Sequence, residues 1–197
     1  MTPSPSGAAL RDAFGAAVHR TEVVCGDAIV YVARDKAHEI LAWLKDSPNQ
    51  TFNYLTDITA VEYRDPEKPF EVVYQLRSLD RCDDLRVKIE FDPQGELRVD
   101  SVYDLWKGAD WLEREVYDMF GVQFTGHPDL RRILMWESYA EGFPLRKSFP
   151  LRGHFSRAEQ VRQALGIKPE SHYSEGELAM AAEHSRDPGR RVRGGRA

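Results

Sequence analysis

Ionisable side chains are concentrated around residues 113–132, and their types and spacing limit the chemistry that the chain could perform. Glu113 and Glu115 could form a general acid–base pair, but two residues apart on a helix they would point roughly 160° apart. They therefore cannot converge on one substrate atom. Glu115, Asp118 and His127 could instead hold a metal ion in a stand-alone metal-dependent enzyme. That set lacks the compact ligand spacing of known metal sites.

Other catalytic motifs are absent from the sequence. There is no G-x-S-x-G nucleophile motif and no P-loop, and Gly121 and Gly126 are not spaced to bind phosphate. Cys25 and Cys82 are too few and too far apart in sequence for a zinc ribbon or a four-cysteine iron–sulfur cluster, so we expect two reduced structural thiols. The sequence thus predicts no catalytic residue, no cofactor and no metal on this chain.

A network of charged side chains is the remaining interpretation. Arginine suits buried or interfacial pairing because its planar guanidinium meets a carboxylate with two hydrogen bonds. The predicted network comprises Glu113, Arg114, Glu115, Asp118, His127, Asp129, Arg131, Arg132, Arg146 and Lys147. Two possibilities remain open for these residues. The network is either wholly intramolecular or part of an interface with another protein.

One helix must position most of these residues, and the pattern predicts it over residues 111–120. Asp110 is expected to cap it, with Glu113 completing a capping box, and Gly121 is expected to end it. Glu115 falls within the apolar arc of this helix and is therefore predicted to be buried and paired. The residues of that arc are Trp111, Leu112, Val116, Met119 and Phe120.

The segments on either side of this helix are predicted to be short or irregular. Ser101 is expected to start a short helix over residues 102–107, and residues 122–124 alternate as a short extended piece. Pro128 forces a turn at His127, which we expect to hydrogen-bond to backbone or carboxylate. Residues 135–155 are extended and punctuated by proline. A segment of this length does not easily order alone, so it is predicted to fold against a partner protein.

The first hundred residues alternate between helical and strand patterns. Helices are predicted over residues 8–19 and after Asp35, the second with Ile40, Leu41 and Leu44 inward. A hairpin is predicted around Cys25 and Gly26, with strands at residues 22–24 and 28–32. Three further strands, at residues 52–63, 70–79 and 86–92, are predicted to form an antiparallel meander.

These elements define the predicted fold class, which is α+β. Helices cover one face of a mainly antiparallel sheet, the other face is open to solvent, and an extended, partner-dependent C-terminal segment follows. Residues 1–100 form the α+β domain. Residues 101–153 add the helix, the turn and the extended docking segment to the same structural unit, and residues 154–197 hold short helices and a disordered basic tail. Ser156 with Glu159 is expected to cap the last short helix, which ends at Gly166, and residues 177–183 show only weak helix potential.

Composition limits the classes of partner. Of the 197 residues, 42% are hydrophobic and 30% are charged, which is typical of a globular protein. No apolar run is long enough to span a bilayer, and no secretory signal is visible, so we expect a cytosolic protein. The last twelve residues carry a net charge of +4. Because the whole chain has a net charge of −5, the other residues together carry −9. A chain that is acidic outside its last residues is not expected to bind nucleic acid.

Four motifs resemble those of the C subunit of respiratory complex I, the NADH:quinone oxidoreductase. This subunit is also called NuoC or the 30 kDa subunit. They are Glu113–Arg114–Glu115, Asp118–Met119–Phe120–Gly121, the run GHPDLRRIL from Gly126 to Leu134, and Pro144–Leu145–Arg146–Lys147. The resemblance covers about residues 101–152. It departs from the family at Ser148, where an acidic residue is common, so one ion pair of the family is not expected here, while the other motifs still indicate membership.

The resemblance implies an accessory subunit of the hydrophilic arm on the cytoplasmic side of the inner (plasma) membrane. It would pack mainly against the D subunit, which holds the quinone site, with the B and I subunits as neighbours. FMN, the iron–sulfur clusters and quinone would lie in partner subunits, and the resemblance implies no cofactor on this chain. An equivalent subunit of a membrane-bound hydrogenase or a plastoquinone-reducing complex fits the same motifs.

Overall fold

A five-stranded sheet is the centre of the first of two units, Met1–His154, into which the chain divides. The structure is a computed structural model that describes residues 4–65, 67–92, 95–151, 153 and 155–166. The strands of the sheet are β1 (Val18–Val24), β2 (Asp27–Val32), β3 (Tyr54–Val61), β4 (Phe70–Ser78) and β5 (Asp83–Phe91). Their order is β1-β2-β5-β4-β3, with β2 and β5 parallel and the other pairs antiparallel. The prediction of a mainly antiparallel sheet is confirmed.

Three helices and a small second sheet complete this unit. The helices are α1 (Pro5–Phe14), α2 (Ala37–Asp46) and α3 (Ala109–Phe120). The second sheet pairs β6 (Arg98–Asp100) with β7 (Gln123–Thr125) in parallel. Because β6 precedes α3 and β7 follows it, this pair fixes both ends of the connection that contains the helix.

Alternating residues explain the packing of the helices on the sheet. Val87 and Ile89 of β5 are fully buried and belong to the same apolar cluster as Leu10 of α1, Leu41 of α2 and Val116 of α3. Side chains on one face of a strand recur every second residue, so Val87 and Ile89 lie on the same face of the sheet. Helices α1, α2 and α3 pack on that face. The predicted one-sided arrangement of helices is confirmed, as is the hairpin, whose turn residues Cys25 and Gly26 have φ of +53° and +95°.

The opposite face of the sheet is polar, but its centre is not open to solvent as predicted. Tyr31 and Glu71 are buried there, and the Nζ of Lys88 lies 2.7 Å from Oε2 of Glu71. The hydroxyl of Tyr63 donates to the same carboxylate oxygen at 3.0 Å. The guanidinium of Arg20 lies 3.5 Å from the ring centroid of Tyr31. Long polar side chains therefore cover this face in place of a second layer of helices.

Breaking the ion pair on this face should be costly, because the Glu71 side chain is only 4% exposed and that of Lys88 13%. Lys88→Met should lower the free energy of unfolding by about 3 kcal/mol, measured by urea denaturation, since it leaves a buried carboxylate without its cation. Arg77→Met is the control. It breaks an exposed cross-strand pair with Asp84 and should change the stability by less than about 0.5 kcal/mol. Equal losses in the two variants would contradict the prediction.

Several predicted boundaries are wrong. Helix α1 begins at Pro5, where the Ser4 hydroxyl accepts the N–H of Gly7 at 3.0 Å, and it ends before β1 rather than running through residue 19. Asp35 lies inside a 3₁₀ turn and does not cap α2. Residues 102–107 form turns rather than a helix, although the Ser101 hydroxyl accepts the backbone N–H of Tyr103 at 3.2 Å.

The second unit, Phe155–Ala197, is described only over residues 155–166. It contains α4 (Arg157–Ala164), and the Ser156 hydroxyl accepts the N–H of Glu159 at 3.3 Å. The predicted last helix and its cap are therefore confirmed. The predicted helix potential near residues 177–183 and the basic tail lie outside the described residues. In the part of the chain that the structure describes, no helix is long and apolar enough to cross a membrane.

Candidate functional site

Helix α3 is the element that positions the predicted charged network. It begins at Ala109 and not after Asp110, because backbone N–H groups at its start bond to the preceding turn, with Ala109 N–H donating to the carbonyl of Trp106 at 3.0 Å. Asp110 lies within the first turn, so the predicted capping box is wrong. Gly121 ends the helix as predicted, with φ +84°. A Cβ there would lie 2.5 Å from the ring of Phe143, so glycine is required on two grounds.

The buried face of α3 differs from the predicted one. Glu113 and Asp118 are fully buried, whereas Glu115 and Trp111 are exposed. The prediction that Glu115 is buried and paired is wrong, because the apolar pattern counts Trp111 as a core residue and so moves the expected face around the helix. Among the described residues Glu115 forms no hydrogen bond or ion pair.

The carboxylate of Asp118 is the centre of the network. Its Oδ2 accepts the backbone N–H groups of Ile133, Leu134 and Met135 at 3.0, 2.8 and 2.8 Å. Its Oδ1 accepts Nη1 of Arg132 at 2.6 Å. Burial alone would raise the pKa of Asp118, but the hydrogen bonds from Met135, Arg132 and the other two amides outweigh it and lower that pKa below its ordinary value. Asp118 is therefore an ionised carboxylate at neutral pH.

Arg114, one turn before Asp118, binds the other side of the same loop. Its Nε donates to the carbonyl of Arg131 at 3.2 Å and its Nη2 to the carbonyl of Arg132 at 3.3 Å. The carbonyls of residues 131–132 thus face a cation while the amides of residues 133–135 face an anion. We call residues 131–135 the clamped loop, because α3 binds their backbone from both sides.

Arg132 connects the clamped loop to the irregular segment that follows. Its Nη2 donates to the carbonyl of Gly142 at 3.0 Å, and its guanidinium carbon lies 5.0 Å from the ring centroid of Tyr139 and 5.4 Å from that of Phe143. Tyr139 is buried. Residues 136–151, which have no regular secondary structure, as predicted, are therefore anchored to α3 through this arginine.

The remaining predicted basic residues find separate partners. Nε of Arg146 lies 3.5 Å from Oε1 of Glu62, and Oε2 of Glu62 accepts the backbone N–H of Lys147 at 2.7 Å. Arg131 pairs with Asp129 at 2.7 Å on the exposed surface. Sequence reasoning missed Glu62, which lies just after β3 among other acidic residues and has no distinguishing spacing.

Glu113 connects α3 to the end of β6. Its carboxylate accepts the Ser101 hydroxyl at 2.6 Å and the backbone N–H of Val102 at 2.7 Å. Burial raises the pKa of Glu113 to about 7, and the hydrogen bonds from Ser101 and Val102 only partly oppose that shift. Burial thus brings the pKa of this carboxyl group close to neutral pH.

His127 occupies the turn after β7, as predicted. Its Nδ1 accepts the N–H of Asp129 at 3.0 Å, so in the neutral ring Nε2 carries the proton. Nε2 lies 3.2 Å from Oδ1 of Asp110 and 4.0 Å from Oε2 of Glu113. Both ring nitrogens are therefore engaged in fixing the turn.

The alternative metal site at Glu115, Asp118 and His127 is not formed. Asp118 is saturated by four donors, and the ring nitrogens of His127 face other partners. No group of three or more His, Cys, Asp or Glu side chains among the described residues could hold a metal ion. A cleft of about 600 Å³ beside Gly121, Phe143 and Arg146 has no histidine or cysteine in its lining.

Comparison with known proteins identifies the family of this chain. A family model described as the 30 kDa subunit of respiratory-chain NADH dehydrogenase matches residues 30–155. The chain belongs to this family. It is 45% identical over 145 residues to the C subunit of NADH-quinone oxidoreductase from Geobacter sulfurreducens, covering 73% of this chain and 87% of the relative. It is 42% identical over 155 residues to the corresponding C 2 subunit from Rhizobium etli, covering 78% and 81%.

Solved structures agree with this membership. The trypsin-resistant fragment (1-134) of Nqo5 has a TM-score of 0.54 at 35% identity and covers 62% of this chain and 97% of that fragment. A chain in the membrane-bound sulfane sulfur reductase, an archaeal respiratory membrane complex, has a TM-score of 0.52 at 23% identity and covers 85% and 94%. The second likeness supports the fold only. The sequence-based assignment to the 30 kDa subunit family is confirmed.

Glu115 lies in the family motif, but it is exposed and forms no hydrogen bond or ion pair with any residue that the structure describes. Glu115→Ala should therefore change the free energy of unfolding by less than about 0.5 kcal/mol, measured by urea denaturation. If Glu115 were buried and paired, as the sequence predicts, its removal would leave basic partners without a counterion and would lower the stability by about 3 to 5 kcal/mol. A loss of that size would mean that the side chain is buried after all.

Proposed function

We propose that the chain is an accessory, cofactor-free subunit in the hydrophilic arm of proton-translocating NADH:quinone oxidoreductase. In this role it packs against the D subunit, which holds the quinone site, and supports electron transfer from NADH, through FMN and iron–sulfur clusters in other subunits, to quinone. It transforms no molecule itself. Its contribution is to hold its neighbour in a geometry suited to electron transfer.

The saturated carboxylate of Asp118 is the observation that carries this proposal. A catalytic acid or base must have an atom free to reach substrate, whereas both oxygens of Asp118 accept hydrogen bonds from the protein itself. The buried Glu113 and the nitrogens of His127 are likewise used to join segments of the fold. The charged residues of the family motif thus build a surface and leave chemistry to other chains.

Membership of the family supports the proposed partners. Relatives of this chain are named as subunits of NADH-quinone oxidoreductase. We propose the D subunit as the main partner, the B and I subunits as neighbours, and a peripheral position on the cytoplasmic side of the membrane. The interface would use the exposed side of residues 129–147. The charged network, most of whose members pair within the chain, would keep that surface ordered. Direct contact between its charges and the partner protein stays a prediction.

Affinity purification of the tagged full chain from its native membrane tests this function. We expect it to recover a large complex that contains the quinone-site subunit and oxidises NADH with quinone, and we expect loss of the gene to abolish that activity. Deleting residues 187–197 is the control and should leave the complex intact, since those residues include no predicted core position. Recovery of the chain as an active monomer without a redox assembly would overturn the proposal.

A further inference from the structure

Two leucines beside α3 are exposed although their backbones are firmly held. The residues Leu134 and Leu145 are 61% and 51% exposed. The N–H of Leu134 donates to the Asp118 carboxylate at 2.8 Å, and that of Leu145 donates to the carbonyl of Met119 at 3.1 Å. Because Asp118 and Met119 are adjacent in α3, both leucines lie beside the C-terminal half of the same helix.

The surroundings of the leucines make them rigid. Leu134 lies in the clamped loop, between the cation of Arg114 and the anion of Asp118. The bond from Arg132 to the carbonyl of Gly142 connects that loop to the segment containing Leu145. A side chain presented on a fixed backbone loses less conformational freedom when it binds, so less of its binding energy is spent on ordering.

We infer that Leu134 and Leu145 are the anchor residues through which the chain binds a neighbouring subunit of the oxidoreductase. This inference rests on the proposed function and specifies its interface. The energy of binding would come from the two leucines, and the buried charges would contribute by holding them in place. The partner must present two apolar depressions for them.

The charge at the edge of this surface adds a second requirement on the partner. The backbone N–H of Lys147 is fixed by Glu62, while its exposed ammonium group forms no ion pair with any residue that the structure describes. Lys147 lies two residues from Leu145. The partner should therefore place a carboxylate beside the depression that receives Leu145, since an exposed cation at the rim of an interface favours a complementary charge.

Photo-crosslinking in the intact complex tests which molecule the leucines contact. A benzophenone amino acid replaces Leu134, Leu145 or, as the control, Leu79, which is 57% exposed in the turn between β4 and β5 and whose N–H is likewise held, by Asn53 at 3.2 Å. Positions 134 and 145 should crosslink to another subunit of the complex, and position 79 should not. Crosslinks from 134 and 145 to a second copy of this chain, to lipid, or to nothing would overturn the inference.

Substitution measures how much the leucines contribute. Leu134→Ser and Leu145→Ser should each lower the affinity for the rest of the complex at least tenfold, and Lys147→Glu should weaken it severalfold. Leu79→Ser should change it less than twofold. Urea denaturation should show equal stability for all the serine variants, which separates binding from folding. Retention of the leucine variants at the wild-type level would overturn the inference and leave the proposed function standing, whereas a wild-type chain that binds no redox assembly would overturn both.

Discussion

Replacing Asp118 with asparagine should lower the free energy of unfolding of the full chain by about 3 to 5 kcal/mol. The carboxylate accepts four donors, three of them consecutive backbone N–H groups. An amide offers one acceptor oxygen, and its NH₂ group would face either Arg132 or the three amides, all of which are donors. The asparagine side chain would therefore leave buried donors unpaired and a guanidinium without its counterion.

Urea denaturation followed by circular dichroism checks this magnitude, and amide hydrogen exchange checks its location. We expect the amides of Ile133, Leu134 and Met135 to lose protection first in Asp118→Asn. Glu115→Gln is the matched control, because it removes a negative charge from the same helix at an exposed position and should change stability by less than about 0.5 kcal/mol. A variant as stable as the control would show that the clamped loop is held by other contacts.

The pH dependence of Asp118 has a defined sign. Since hydrogen bonds hold its folded pKa below the ordinary value, the carboxylate stabilises the fold above its unfolded pKa, and this contribution is lost as pH falls through the folded pKa. Acid should therefore release the clamped loop in the wild-type chain. Because that loop carries Leu134, acid should also weaken binding to the proposed partner.

The local patterns were sufficient for much of the fold. Alternation in β5 and the two strand patterns that flank Cys25 and Gly26 predicted strands and a hairpin that the structure contains. The parallel pairing of β2 with β5 was not predicted, because it joins residues more than fifty positions apart and leaves no local signal. Tertiary pairing of this kind depends on the whole sheet.

Part of the charged network predicted around α3 is present, but its geometry differs from the predicted one. Asp118 and Arg132 do pair, as expected of an acid and an arginine in one network. The helical wheel misplaced burial, assigning to Glu115 the position that Glu113 occupies. The main partners of Asp118 are backbone amides, and those of Arg114 are backbone carbonyls, which a sequence cannot reveal because every residue has them.

Glu113→Gln should remove a pH dependence of stability that the wild-type chain shows between pH 4.5 and about 7. Burial raises the pKa of Glu113 from 4.5 to about 7, so in that range the folded state retains a proton that the unfolded state has lost. Stability must therefore fall as pH rises, and the ionised carboxylate should cost about 3 kcal/mol above this range. Below pH 4.5 both states are protonated and the cost disappears.

The difference in stability between variant and wild type cancels the titrations of the groups that do not interact with Glu113. Glutamine keeps the size of Glu113 and can still accept the N–H of Val102, while the Ser101 hydroxyl can turn to accept from the amide. We expect equal stabilities near pH 4.5 and a more stable variant at about pH 8, measured by urea denaturation at each pH. Glu115→Gln, which changes an exposed carboxylate, should follow the wild-type curve throughout. A constant difference between Glu113→Gln and wild type over the whole range would mean that Glu113 ionises at the same pH in the folded and unfolded states. The two hydrogen bonds that its carboxylate accepts would then cancel the effect of burial.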